Sequence, residues 1–211
     1  MHMTYKNTFK RLLDFFVATL GVIILIPVYS LIYSLLRWGY KETPFFYQKR
    51  AGKHGKEFKI IKFKTMNNAK DAQGNLLPDT DRITKVGSFL RKTSLDEIPQ
   101  LINVMKGDMS LIGPRPLYMK YLPYYTEKEA LRHTVRPGIT GLAQISGRNL
   151  IGWDKRLQKD VEYVENLSLG LDLKILFKTI EKVLLAKDVA NDEASGVFDL
   201  DDERKNRPLQ V

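Results

Sequence analysis

Two adjacent carboxylates stand in the segment Thr93-Ser94-Leu95-Asp96-Glu97-Ile98-Pro99. A carboxylate can do two jobs at phosphorus: hold a divalent cation, and attack as an oxygen nucleophile. Its neighbour would then tune or position it. At the head of a helix the pair also lies close to where an anion is favourably held. A purely structural account competes. Ser94 and Glu97 have the spacing of a capping box, which satisfies the free N–H groups of a first helical turn. Adjacent helical residues diverge by about 100°, so both carboxylates face one atom only with help from the cap geometry.

A second segment, Gly113-Pro114-Arg115-Pro116, fixes the backbone on both sides of one guanidinium. The planar fork of arginine suits two phosphate oxygens, and flanking prolines reduce the entropy lost on binding. A rigid turn with a solvated arginine is the alternative. A third runs from Arg136 to Arg148, with Gly138, Gly141 and Gly147 between the two arginines. These glycines permit close approach of backbone to a ligand, or simply an ordered structural loop. Lys56 to Lys64 partly alternates lysine with apolar residues. It reads as a half-buried strand with a solvated face, or as a surface for lipid headgroups or substrate phosphates. The three histidines, His2, His54 and His133, show no metal-ligand spacing. Neither a Walker-type loop nor a GxGxxG after a strand is present.

The elements that would position these groups are short. Phe45 to Tyr47 and Phe58 to Phe63 read as strands joined through Gly52 and Gly55. Asp71 to Asp81 is a polar loop, and Ile83 to Leu90 a short helix. Ile98, Leu101, Ile102 and Met105 follow helical spacing, and Gly107 ends that helix. Residues 113 to 116 are irregular. Glu127 to Thr134 allows one or two helical turns, and Arg136 to Gly147 an ordered loop or irregular strand. Leu173, Leu176, Phe177, Ile180, Val183 and Leu184 form the apolar face of an amphipathic helix. From Asp188 to Val211 the pattern is lost, and a poorly ordered tail is expected.

Phe15 to Leu36 is a run of 22 residues without a charge, enough for a helix to cross a bilayer core. It is long for a signal peptide and apolar on every face, unlike most core helices. Pro27 near its middle removes one backbone hydrogen bond and favours a kink. Both flanks are basic, with Lys6, Lys10 and Arg11 before the run and Arg37, Lys41, Lys49 and Arg50 after it. Basic flanks prefer the cytoplasm, so the helix is expected to enter the membrane, bend at Pro27 and leave on the same side. Thr19, Ser30 and Ser34 are candidates to satisfy backbone groups freed by the bend.

The 211 residues suffice for one compact core plus an appendage. A net charge of +10 implies an anionic partner: nucleic acid, anionic lipid or a phosphorylated substrate. The absence of cysteine excludes a disulfide framework and a thiolate metal site.

Taken in order, the motifs form a constellation. A broken apolar helix precedes Phe58-Lys59-Ile60-Ile61-Lys62-Phe63-Lys64-Thr65-Met66. Arg91 and Ser94-Leu95-Asp96-Glu97-Ile98-Pro99-Gln100 follow, then Lys106-Gly107-Asp108-Met109-Ser110-Leu111-Ile112-Gly113-Pro114-Arg115-Pro116, and last Arg136-Pro137-Gly138-Ile139-Thr140-Gly141-Leu142-Ala143-Gln144. Over residues 8 to 187 this resembles the bacterial sugar transferase family, the small monotopic polyprenyl-phosphate phosphoglycosyl transferases. The resemblance implies an α+β protein in three parts. Residues 1–40 are a re-entrant membrane helix broken at Pro27. Residues 41–187 are a small, mostly helical cytoplasmic catalytic domain with short strands and interfacial amphipathic helices. Residues 188–211 are a flexible tail.

It also implies roles. Asp96 matches the catalytic aspartate that attacks the β-phosphate of a UDP-sugar, and Glu97 its acidic partner. Magnesium (Mg2+) sits at the Asp96 position. Arg91, Arg115 and Arg148 match phosphate-binding arginines, and Lys62, Pro116 and Asp160 further functional positions. Pro27 matches the helix-breaking proline, here after Ile26 where relatives often carry serine. The expected reaction moves a sugar 1-phosphate onto undecaprenyl phosphate, releases UMP through an aspartyl phosphosugar, and begins assembly of a glycoprotein, capsule or O-antigen glycan at the bacterial inner membrane. An N-acetylated amino sugar is the expected donor group, with a plain hexose open, as is a homo-oligomeric state. Two other classes compete: a membrane-anchored nucleic-acid-binding protein and a non-catalytic membrane scaffold. The first does not explain Asp96-Glu97 beside Arg115, a magnesium-dependent UMP-release assay separates all three readings, and no nucleic-acid partner is expected.

Overall fold

A computed structural model describes residues 5–40, 42–147, 151–185 and 199–205. After a short π-helical turn at Tyr5–Phe9, helix α1 spans Lys10–Tyr40. It is long and apolar enough to cross a membrane. Pro27 lies inside it and the helix continues on both sides, so the expected break is not an interruption of the helix. A proline deletes one i to i−4 bond, and the turns either side sustain the rest.

The stripe of α1 carrying Lys10, Asp14, Ala18, Ile32 and Leu36 is buried, whereas Phe16, Leu20, Ile23, Ile24, Leu31 and Leu35 are exposed. Ala18 packs with Ile60, Val104 and Met109. Ile32 and Leu36 pack with Phe63 and Leu90. Both ends of the apolar helix therefore rest on the same small domain.

That domain opens with β1 (Phe45–Ala51) and β2 (Glu57–Phe63), an antiparallel hairpin registered from Phe45 against Phe63 to Ala51 against Glu57. The polar loop is interrupted by one turn, α2 (Asp79–Arg82). Helix α3 (Lys85–Lys92) is capped by Thr84, whose side chain accepts from the Gly87 N–H. Helix α4 (Gln100–Lys106) ends at Gly107 in the left-handed conformation, as its spacing predicts. Strand β3 (Ser110–Ile112) pairs in parallel with β4 (Gly138–Thr140). At Gly113 and Gly138 the two backbones meet so closely that a Cβ on either would overlap the other's main chain. The glycines of the Arg136 segment thus serve contact between two loops of the protein.

Between β3 and β4 lie a 3-10 segment (Met119–Tyr124), α5 (Glu127–Ala130) and a further 3-10 turn (Leu131–Thr134). Thr126 and Glu129 there form the capping box of α5. One-turn α6 (Leu142–Ile145), α7 (Trp153–Glu165) and amphipathic α8 (Leu169–Leu184) follow. Tyr163, Val164, Ile175 and Ile112 share one core cluster.

The tail is not free throughout. Residues Leu200–Arg204 form α9. Leu200 is fully buried with Tyr121, Trp153 and Leu157. The Arg204 guanidinium pairs with both oxygens of Glu129 at 2.6 and 2.7 Å and with Asp154 at 2.8 Å. One buried leucine contributes about 1.5–3 kcal/mol, which together with the ion pairs holds a helix too short to show periodicity. Residues 188–198 and 206–211 of the expected tail lie outside the described residues.

Candidate active site

Helix α3 ends at Lys92, Thr93 caps it, and Ser94 turns into the left-handed region with φ 58°. Leu95–Glu97 then form a 3-10 turn before α4. The carboxylates therefore sit in a break between two helices. The Ser94 side chain makes no capping bond, so the capping box that its spacing suggests is not formed. A non-glycine residue in this conformation costs about 1–2 kcal/mol, which the site must hold through its neighbours.

Those neighbours are cations. The Lys62 ammonium, on β2, donates to Glu97 Oε1 at 2.7 Å and lies 3.8 Å from Asp96 Oδ2. Arg115, on the loop after β3, donates to the same Glu97 oxygen at 3.2 Å. Arg91, in the last turn of α3, donates from Nε to Thr65 Oγ1 at 2.9 Å. Its placement depends on Gly87, where a Cβ would overlap the Thr65 carbonyl. Asp96 is 8% exposed, and among the described residues its oxygens accept no hydrogen bond. Burial pushes its pKa up to about 6 against the opposing pull of Lys62, and the charge of Glu97 raises it further. Burial also acts to raise Glu97, but Lys62 and Arg115 outweigh it and hold that carboxyl down at about 2. The pair is thus divided: Glu97 is a fixed counter-ion, and Asp96 is a buried carboxylate with its oxygens uncommitted.

The remaining expected residues fall into three groups. Pro116 is buried in the loop after Arg115, which is pinned to β1 by the Ala51 N–H donating to the Leu117 carbonyl at 3.0 Å. Asp160 on α7 does not reach the carboxylates. It accepts from Arg132 at 2.9 Å, and the same guanidinium donates to the Arg115 carbonyl at 2.6 Å. Asp160 acts through Arg132 to position the arginine loop. Arg132 itself carries no motif signal, and only its buried ion pair reveals it. Arg148 lies outside the described residues. A separate cavity of about 280 Å³, at the far end of α1 beside Tyr33, Arg37 and Phe45, touches neither carboxylate.

The donor set around Asp96 suits a hard cation. Magnesium takes oxygen ligands, usually one or two carboxylates with substrate phosphates completing the shell. The Asp96 oxygens, which accept no hydrogen bond among the described residues, fit one such ligand, and the cations Lys62, Arg91 and Arg115 fit the phosphates of a phosphoryl transfer.

Comparison with known proteins agrees with this chemistry. The family described as "Bacterial sugar transferase" matches residues 5–186. The uncharacterized sugar transferase EpsL of Bacillus subtilis is 52% identical over 185 residues, covering 85% of this chain and 89% of that protein. The UDP-glucose:undecaprenyl-phosphate glucose-1-phosphate transferase of Klebsiella pneumoniae is 41% identical over 85% of this chain. The undecaprenyl-phosphate galactose phosphotransferase of Salmonella typhimurium is 44% identical over 67% of it. The chain spans 41% of the Klebsiella protein and 33% of the Salmonella one. A match over nearly the whole described chain, with the carboxylate pair and its cations assembled in one place, means that this protein belongs to the bacterial sugar transferase family.

Proposed function

We propose that the chain transfers a sugar 1-phosphate from a UDP-sugar to undecaprenyl phosphate and releases UMP. The observation that carries this reading is Asp96, a buried carboxylate with uncommitted oxygens beside a Glu97 neutralised by Lys62 and Arg115. An Asp96 oxygen bonds to the β-phosphorus of the donor as the bond from that phosphorus to the oxygen bridging the α-phosphate breaks. UMP leaves with the bridging oxygen, and the sugar phosphate remains on Asp96. A phosphate oxygen of the lipid then attacks the same phosphorus and Asp96 returns as a carboxylate. Magnesium, held by Asp96 and the donor phosphates, would supply charge neutralisation. Arg115, Arg91 and Lys62 hold and orient the phosphates in the same low-dielectric setting.

The chemistry requires the site at the membrane surface, where the acceptor phosphate lies. Both ends of α1 rest on one domain, which supports a helix that enters and leaves on the cytoplasmic face with Pro27 at its bend. A spanning helix would separate its ends by a hydrocarbon core of about 30 Å. Helix α8 exposes Leu169, Leu173, Phe177 and Ile180 with Lys174, Lys178 and Lys182 alongside, as an interfacial helix does.

The sugar is a hexose. The Klebsiella and Salmonella relatives are named for glucose and galactose, and an N-acetylated amino sugar is the further candidate. A panel of UDP-hexoses and UDP-N-acetylhexosamines with undecaprenyl phosphate and magnesium, read as UMP release, identifies the donor. No release from any of them by protein in native-like membranes would leave the scaffold reading in its place.

A further inference from the structure

A small cationic cavity at the foot of α1 is left unused by the transfer reaction. It has a volume of about 70 Å³, and its lining includes Lys6, Lys10, Arg11, Lys53, Arg136 and the carboxylate of Asp14. None of Asp96, Glu97, Lys62, Arg91 and Arg115 lines it. Helix α4 separates the two places: Asp96 precedes it, and Arg11 donates to the Val104 and Met105 carbonyls at its other end, at 2.6 and 2.8 Å. At 1.5 Å per residue the helix between them is roughly 10 Å long.

The charges in the cavity do not cancel. Lys10 is committed to Asp172 at 2.6 Å. Asp14 already accepts from the Ser110 hydroxyl at 2.7 Å and the Leu111 N–H at 3.1 Å. Arg136 donates to the Gly107 carbonyl at 2.8 Å. Among the described residues no carboxylate lies within ion-pair distance of Lys6, Arg11, Lys53 or Arg136. Burial disfavours the charge on Arg136, and Arg11 beside it does so further, outweighing the opposing pull of Asp14. Two guanidiniums and two ammonium groups thus converge around one lining carboxylate, Asp14, which forms no ion pair with any of the four among the described residues.

Depth identifies the anion. Where the start of α1 turns Lys10, Arg11 and Asp14 inward, Phe9 of the preceding π-helical turn and Leu12 and Leu13 of α1 are 51%, 52% and 37% exposed. Leu167 on the cavity wall leads into α8 and its exposed Leu169 and Leu173. The cavity therefore opens where apolar surface begins, at the level of headgroups. We propose that it holds the phosphodiester of an anionic membrane phospholipid, whose chains lie against the exposed face of α1. A zwitterionic headgroup fits less well, since Asp14, the carboxylate in the lining, is already engaged by two donors. The inference rests on the membrane attachment proposed above and not on the transfer chemistry.

The test is native mass spectrometry of the full-length protein in neutral detergent, with phosphatidylglycerol, phosphatidylcholine, inorganic phosphate and undecaprenyl phosphate as separate probes. Wild type should retain one phosphatidylglycerol in preference to phosphatidylcholine, and Asp96→Asn should retain it equally. Arg136→Gln and the double variant Lys6→Glu/Lys53→Glu should each lower retention by about tenfold or more. The double variant alters side chains that make no hydrogen bond or ion pair among the described residues, so it decides the matter if Arg136→Gln does not fold. Equal retention of phosphatidylcholine, or unchanged retention in the folded variants, overturns the proposal. Displacement by inorganic phosphate at equal concentration reduces the cavity to a simple anion hole and also overturns it. Preferential retention of undecaprenyl phosphate would assign the cavity to the acceptor instead. Turnover by protein stripped of phospholipid would leave the transferase reading intact.

Discussion

Asp96 and Glu97 are adjacent carboxylates with opposite fates, and the difference lies in what each one touches. Glu97 spends its charge on Lys62 and Arg115. Asp96 is buried without a hydrogen bond among the described residues, and its pKa rises to about 6 from an ordinary 3.8. The native state therefore binds the Asp96 proton more tightly than the unfolded state does. That contribution favours folding below pH 3.8, fades as pH rises to 6, and leaves an ionised, poorly solvated group above it. Asp96→Asn should consequently stabilise the protein at pH 7.5, by an amount on the order of 1–3 kcal/mol, while UMP release falls by about a thousandfold or more. At pH 5 the stabilisation should be smaller. Thermal unfolding of both proteins at the two pH values checks this, and an unchanged midpoint at pH 7.5 would mean that Asp96 is not held at a cost. Glu97→Gln acts the other way. It strips the counter-ion from the partly buried Lys62 and from the exposed Arg115 and should lower both stability and kcat. The carboxylates, Lys62 and Arg115 are legible in the sequence because their motifs are local. The Asp160–Arg132–Arg115 relay is not, since it joins side chains 28 positions apart and then a main-chain carbonyl. No spacing rule encodes such a path.

Among the elements, those with a full period or a firm stop are readable. The hairpin with its two glycines, α4 ending at Gly107, and α8 with its apolar face all follow from the residues. Strands β3 and β4 have three residues each, too few to alternate, and their pairing depends on Gly113 meeting Gly138. Helix α9 is equally short and is held by tertiary contacts alone. Leu200→Ala should cost about 2–4 kcal/mol and loosen the segment from Met119 to Tyr124, measurable as faster hydrogen exchange there. Unchanged exchange would show that α9 is not a brace. For α1, Pro27 matters through what it permits. A single cysteine at Lys6 or at Lys41, in a chain otherwise free of cysteine, should resist an impermeant reagent in intact cells. Pro27→Leu restores one hydrogen bond and should make one of the two sites reactive as the helix shifts toward spanning. Reactivity of one end in the unaltered helix would establish a crossing instead.

On the scale of the whole molecule, the proposed reaction joins two substrates that live in different phases. The nucleotide sugar arrives from water and the acceptor phosphate stays at the membrane surface. A direct displacement would need both at once, with the acceptor oxygen lined up behind the donor pyrophosphate. In the proposed route Asp96 removes that requirement, because its oxygens take the sugar phosphate first and UMP leaves before the lipid arrives. Incubation of the full chain with donor and magnesium alone should therefore release about one UMP per active site as a burst. Intact-protein mass spectrometry should show the mass of a sugar phosphate, mapped to the peptide containing Asp96 and missing from Asp96→Asn. Adding undecaprenyl phosphate should discharge the adduct and restore steady turnover. Acyl phosphates hydrolyse readily, so the burst amplitude is the firmer measurement, taken within the first turnover at low temperature. If an enzyme shown to be active released UMP only when the lipid was present, both substrates would have to bind together, and Asp96 would act as a metal ligand rather than a nucleophile.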